Sequence, residues 1–91
     1  MQRRSNSYWM IEELVTEVLE DILDKKRDSF TLDQRLIKDL HINSDDLSFV
    51  FCLGLEEKLG IKIPIDAWRN VYTGRQAVDL LSEHLKQEDH L

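Results

Sequence analysis

The run Leu40-His41-Ile42-Asn43-Ser44-Asp45-Asp46-Leu47-Ser48-Phe49-Val50-Phe51-Cys52-Leu53-Gly54-Leu55-Glu56-Glu57 decides how this chain is read. It opens as a loop and turns into a helix. Ser44 or Asn43 stands at the junction, and either can cap a helix because its side-chain oxygen accepts an otherwise unpaired backbone N–H. Asp45 and Asp46 fill the first turn, where the helix dipole favours anions. Leu47, then Val50 or Phe51, then Leu55 and Leu59 fall at helical spacing, and Gly60 suits the left-handed residue that ends many helices. The pattern predicts a helix from about Ser44 to Leu59. Ser44 itself has two readings. It can be a plain cap, or it can present an exposed hydroxyl on a rigid support, open to covalent modification.

Upstream, Ile11, Leu14, Val15, Val18, Leu19, Ile22 and Leu23 recur at the spacing of one helical face, with acids opposite them. A first helix is expected from Tyr8 to about Lys26, capped by Asn6 or Ser7, with Lys25, Lys26 and Arg27 at the dipole's negative end. Residues 1–6 read as a polar end expected to fray. From Asp28 to Asp39 the apolar residues Phe30, Leu32, Leu36, Ile37 and Leu40 suit no long helix. This stretch reads as a long ordered loop pinned by its apolar side chains, with a turn at Thr31-Leu32-Asp33-Gln34. Loops of this length are often functional.

Downstream, Ile61-Lys62-Ile63 alternates like a strand, but Pro64 follows and there is no second strand to pair with. An extended connection is the better reading. A short helix carrying Trp68 comes next, with Asp66 as its candidate cap. Thr73 and Gln76 have the spacing of a capping box. Ala77, Val78, Leu80, Leu81 and Leu85 give the last helix its apolar face, ending near Lys86, with 87–91 expected to fray. Three longer helices, one short helix and a long first connection predict an all-α four-helix bundle.

The chain has 91 residues, room for a single domain (1–91). Its 12 basic and 18 acidic residues give a net charge of -6, the wrong sign for a nucleic-acid groove and suited to basic partners. No run approaches a membrane span, and Glu12 and Glu13 break the only run that could serve as a secretory signal, so a cytoplasmic location is expected. The lone Cys52 reads as a buried small hydrophobe. No phosphate loop, nucleophile elbow or metal-spaced cluster is present, and the chain is not expected to be an enzyme. Asp45 and Asp46 are adjacent, so they point about 100° apart on a helix and make no catalytic dyad. Tyr8, Trp9 and Trp68 are expected in or beside the core, because no basic residues interleave with them as in a base-stacking platform.

Taken together, these segments resemble the acyl carrier protein superfamily. Leu36-Ile37-Lys38-Asp39-Leu40-His41-Ile42-Asn43-Ser44 is similar to its attachment loop, whose usual form runs through Asp-Leu-Gly to Asp-Ser-Leu. Leu55 to Pro64 resembles the end of its second helix and the loop after it, and Trp68 to Leu81 its short third helix and the start of its fourth. The likeness covers about Leu14 to Leu85. It implies an acyl-carrier-like four-helix bundle that carries acyl groups as thioesters on a phosphopantetheine arm. Ser44 matches the attachment serine, modified by a separate phosphopantetheinyl transferase. The implied partners are enzymes of fatty-acid, polyketide or specialised acyl chemistry, docking basic patches on the acidic second helix. Asp39, Asp45, Asp46, Glu56 and Glu57 would form that face, with no lysine or arginine from Asp39 through Glu57.

The chain departs from the family pattern at several points. His41 stands for the motif's glycine, Asn43 for its aspartate and Asp45 for its leucine. One extra residue is needed between Ser44 and Leu55 to keep both ends of the match in register. Val50 replaces an acid that family members often carry, leaving the cluster Phe49-Val50-Phe51. Two of these three residues are expected in the core with the third on the surface, or else the cluster, with Phe49 and Val50 as its docking residues, forms a partner-binding or self-association patch. The alternative function is thus an unmodified adaptor of the same fold that binds an unknown protein partner through its second helix.

Overall fold

A computed structural model describes the backbone of residues 3–89 and the side chains of residues 8–85. Four helices build it. Helix α1 is Arg3–Leu23. The second helix, 44–59, passes from an α turn through a π-helical stretch, Asp46–Cys52, into α2, Leu53–Leu59. Helix α3 is Ile65–Trp68, and α4 is Gly74–Asp89. No β-strand occurs among the described residues, and Arg35 and Thr73 make an isolated antiparallel bridge. No helix among them is long and apolar enough to cross a membrane.

The apolar stripe of α1 packs as its spacing predicts: Ile11, Val15, Val18 and Leu19 are buried, with Leu14, Ile22 and Leu23 packed against them. Both ends of α1 differ from the expected bounds. It begins at Arg3, so neither Asn6 nor Ser7 stands at its N-cap. It stops at Leu23 rather than Lys26, because Asp24 adopts φ 56° and Lys25 N–H donates back to Glu20 O at 3.3 Å. Aspartate is among the few residues that visit this left-handed region at modest cost. At the other end, α4 runs past Lys86 to Asp89. Residues 1, 2, 90 and 91, included in the expected frayed ends, lie outside the described residues.

The long connection is ordered, as its apolar residues suggest. A short 3-10 turn, Arg27–Ser29, leads into it, and Phe30 and Leu36 are buried. Its polar backbone is satisfied across the fold: Leu36 N–H donates to Tyr72 O at 2.8 Å, and Arg75 N–H donates to Leu32 O at 2.8 Å. Leu32 also packs tightly on the start of α4, where a Cβ on Gly74 would come within 2.9 Å of its Cδ2.

Local chemistry sets the remaining boundaries. Thr73 and Gln76 form the full capping box: Gln76 N–H donates to Thr73 Oγ1 at 3.1 Å, and Thr73 N–H donates to Gln76 Oε1 at 3.2 Å. Gly60, at φ 68°, closes the second helix, with Ile61 N–H donating to Glu56 O at 3.0 Å. Ile61 and Ile63 are buried on either side of exposed Lys62, an extended connection with no strand partner among the described residues. Asp66 does not cap α3, whose N-cap position is Pro64. Asp66 lies inside the first turn and pairs with Arg69 at 3.6 Å.

Candidate functional site

The site is built around the mouth of the second helix. Asn43, not Ser44, caps it: Asn43 Oδ1 accepts the Asp46 N–H at 2.8 Å, and Asn43 Nδ2 donates to Asp46 Oδ2 at 3.3 Å. Leu47 N–H donates to Asn43 O at 3.0 Å and closes the first turn. Ser44 is therefore inside the helix and exposed, and among the described residues its Oγ takes part in no hydrogen bond. Of the two local readings of Ser44, capping falls to its neighbour.

The approach to Ser44 is a tight reversal. His41 N–H donates to Ile37 O and Ile42 N–H donates to Leu36 O, both at 3.0 Å. His41 is exposed and takes φ 61°, a conformation that glycine adopts without a Cβ penalty. Buried Ile42 anchors the end of the reversal. Asp39, expected on a docking face, is exposed and also serves the loop. Its Oδ2 accepts the Arg35 N–H at 2.8 Å and so holds the reversal shut. Beside it lies a cleft of about 570 Å³, with Ile37, Lys38 and Arg35 on the loop side, Leu47 on the helix, and Val71 and Tyr72 on the far wall. Leu47 is three residues after Ser44, so the two share a helix face.

Along the helix, the core and surface assignments differ from the expected ones. Only Phe51 of the Phe49-Val50-Phe51 cluster is buried. It meets the Trp68 ring edge-on, with centroids 6.2 Å apart. Phe49 and Val50 are exposed, and Leu53 joins them. Of the two core residues expected in this cluster the structure buries one, Phe51, within the π-helical stretch. Leu53 was legible in principle, four residues after Phe49. The cleft residues were not, because the loop and the 71–73 segment are distant in sequence.

The acidic residues also divide. Asp45 and Glu57 are exposed, and Asp46 is half-buried beside Asn43. Glu56 is engaged by the fold, since Trp68 Nε1 donates to its Oε2 at 2.7 Å. Half-buried Cys52 packs against the core; burial and then the Glu56 charge push its thiol up to about 12, which makes it a poor nucleophile at neutral pH. Of the expected core aromatics, Trp68 is buried and Tyr8 packs at the core edge, but Trp9 is 61% exposed. Asp45, Phe49, Val50 and Glu57 thus lie exposed on one helix with Ser44 at its head, Asp39 is exposed on the loop before it, and Asp46 and Glu56 are half-buried and hydrogen-bonded within the fold. No protein-family model and no curated protein matches the chain.

Proposed function

We propose that this protein is a carrier of the acyl-carrier type, modified with phosphopantetheine on Ser44. The observation that carries the reading is the division of labour at the helix mouth. Asn43 supplies the cap, so the Ser44 hydroxyl is left exposed and, among the described residues, without an internal partner. Three local features agree with the family frame. His41 has a left-handed backbone where the frame has glycine. Asn43 stands where the frame has aspartate and does a cap's work, for which asparagine is as good a residue. The one extra residue between Ser44 and Leu55 falls where the helix widens into a π turn, the usual way a helix absorbs an insertion.

Ser44 Oγ is the nucleophile. It forms a phosphodiester bond as the pyrophosphate bond of coenzyme A breaks, the adenosine bisphosphate half leaves, and the serine proton passes to a base of the transferase. When attached, the arm supplies the thiol on which acyl groups ride as thioesters. On this chain, Arg35 and Lys38, which line the cleft, would be the cations available to the phosphodiester, and Ile37, Leu47 and Val71 would offer an apolar wall to the arm or a short chain. The carrier performs no catalysis. Basic partner enzymes would meet the exposed carboxylates Asp45 and Glu57.

The test is intact-mass spectrometry after incubation with coenzyme A and a broad-specificity phosphopantetheinyl transferase. A gain of one phosphopantetheinyl group, absent in Ser44→Ala, is expected. No gain under conditions that modify a control carrier sinks the proposal.

A second reading, an unmodified adaptor of the same fold, is favoured by the exposure of Phe49, Val50 and Leu53 on the second helix. It expects protein binding that survives Ser44→Ala and is weakened by Val50→Glu.

A further inference from the structure

At the end of the second helix far from Ser44, a groove of about 510 Å³ opens between α1 and α2. Trp9, Met10, Leu14 and Glu17 line it from α1, and Lys58 and Leu59 line it from α2. The α1 residues share one face, because Met10, Leu14 and Glu17 follow one another at steps of four and three. Trp9 and Met10 are 61% and 62% exposed although the groove beside them is largely apolar. The charges at the groove are also unmatched. Glu17 and Lys58 are exposed on opposite walls, and neither takes part in a salt bridge among the described residues. Glu13, on the same face of α1, is already paired with Arg27 at 2.9 Å.

We infer that this face is the interface of a symmetric dimer, in which Trp9 of each copy enters the groove of the other and Lys58 meets the partner's Glu17. A two-fold interface must be self-complementary, because one patch meets a second copy of itself. This patch has what that requires: a large exposed side chain, a groove in the range of about 300–1,000 Å³ that encloses a bulky group, an unpaired acid and an unpaired cation. Other occupants match only part of it. A basic peptide would set like charge against Lys58, and an acidic one against Glu17. An anionic lipid surface would press on Glu13 and Glu17. The patch is small beside the roughly 800 Å² per partner of a standard interface, and each copy carries a net charge of -6, so association is weak and reversible. The inference does not rest on the carrier reading, since Ser44 lies roughly 20 Å from Lys58 along the helix, outside the interface.

The experiment is sedimentation equilibrium of the full chain from about 5 μM to about 1 mM in about 0.15 M salt, where screening limits the repulsion between like-charged copies. The average mass should rise with concentration from one chain toward two. Trp9→Ser should weaken association by at least about tenfold, as expected for a central aromatic. Lys58→Glu and Glu17→Lys should each weaken it by roughly fivefold or more, because both cross-copy pairs then carry like charges. Mixing these two variants should restore it, since each mixed dimer again has two pairs of opposite charge. All three substitutions alter exposed side chains, so the thermal melts should match the parent's. Several outcomes overturn the inference: a single-chain mass up to about 1 mM, unchanged association in Trp9→Ser, no recovery on mixing, or loss of association in Phe49→Ser/Leu53→Ser instead. Binding of the monomer through Trp9 to vesicles of phosphatidylcholine and phosphatidylglycerol, in place of dimerisation, also overturns it.

Discussion

The side-chain oxygen of Asn43 lies 2.8 Å from the backbone nitrogen of Asp46 and accepts its N–H, while Ser44, between them in sequence, contributes no side-chain bond among the described residues. A helix N-terminus leaves several backbone N–H groups unpaired, and either of two adjacent residues could have capped one of them. The choice of Asn43 frees the hydroxyl beside it.

That assignment makes a direct stability prediction. Asn43→Ala should cost about 1 kcal/mol, the usual loss for a removed cap. Ser44→Ala should stay within about 0.5 kcal/mol, as expected for an exposed residue with no hydrogen-bond partner among the described residues. Urea denaturation of both variants checks this, and the reverse order of costs would return the cap to Ser44.

Backbone conformation separates three positions. His41 is left-handed, so His41→Gly should stabilise by about 0.5–1 kcal/mol, because the Cβ penalty outweighs the added chain entropy. Gly60 is also left-handed, and Gly60→Ala should destabilise by about 1 kcal/mol or more. Gly54 is different: it sits in the helix, and a Cβ added there would meet nothing within 4 Å, so Gly54→Ala should stabilise by about 0.5–1 kcal/mol. Thermal melts of the three variants should give this pattern of signs.

Two neighbouring acids should behave unlike each other. Glu56 accepts the Trp68 indole N–H at 2.7 Å in a partly buried setting. Glu56→Ala should cost about 1.5–3 kcal/mol, the range for a hydrogen bond to a charged group, and Glu56→Gln less because its carbonyl can still accept. Glu57 is exposed, and Glu57→Ala should change stability by less than about 0.5 kcal/mol. Equal losses at 56 and 57 would show that the indole bond contributes nothing.

A pH dependence follows from the clasp between α1 and the loop after it. Arg27 donates to Glu20 through its side chain at 3.1 Å and its backbone at 3.0 Å, and it pairs with Glu13 at 2.9 Å. The Arg27 hydrogen bonds hold the Glu20 carboxyl below its ordinary range. A carboxyl with a lower pKa in the folded state adds stability above its unfolded pKa, and that stability is lost as pH falls through the folded value. Arg27→Ala should therefore lower the melting temperature near pH 7, and the gap from the parent protein should close below about pH 4. A gap of the same size near pH 3 would mean that the clasp works through packing rather than charge.

Much of the architecture is local and could be read from the residues. The α1 stripe from Ile11 to Leu19, the Thr73–Gln76 capping box and the Gly60 stop all depend on neighbours within about one or two turns, where spacing alone carries the information. The position of Ser44 at a helix mouth was equally legible. The ends of α1 were less so, because Asp24 competes on nearly equal terms with continued helix.

Sequence by itself determined an all-α chain of four helices, an apolar face for each long one, and an acidic second helix headed by Asn43 and Ser44. Only the tertiary structure decided which of those two caps the helix, which of Phe49, Val50 and Phe51 goes inside, and which acids are free. The physical reason is the same in each case. Alternatives that differ by a single residue in register are nearly equal in local energy, and they are separated by long-range contacts. Trp68 packs against Phe51 and claims Glu56, while Tyr72 O holds Leu36 N–H and so fixes the loop that delivers Ser44. Those contacts join residues far apart in the chain, where periodicity carries no signal.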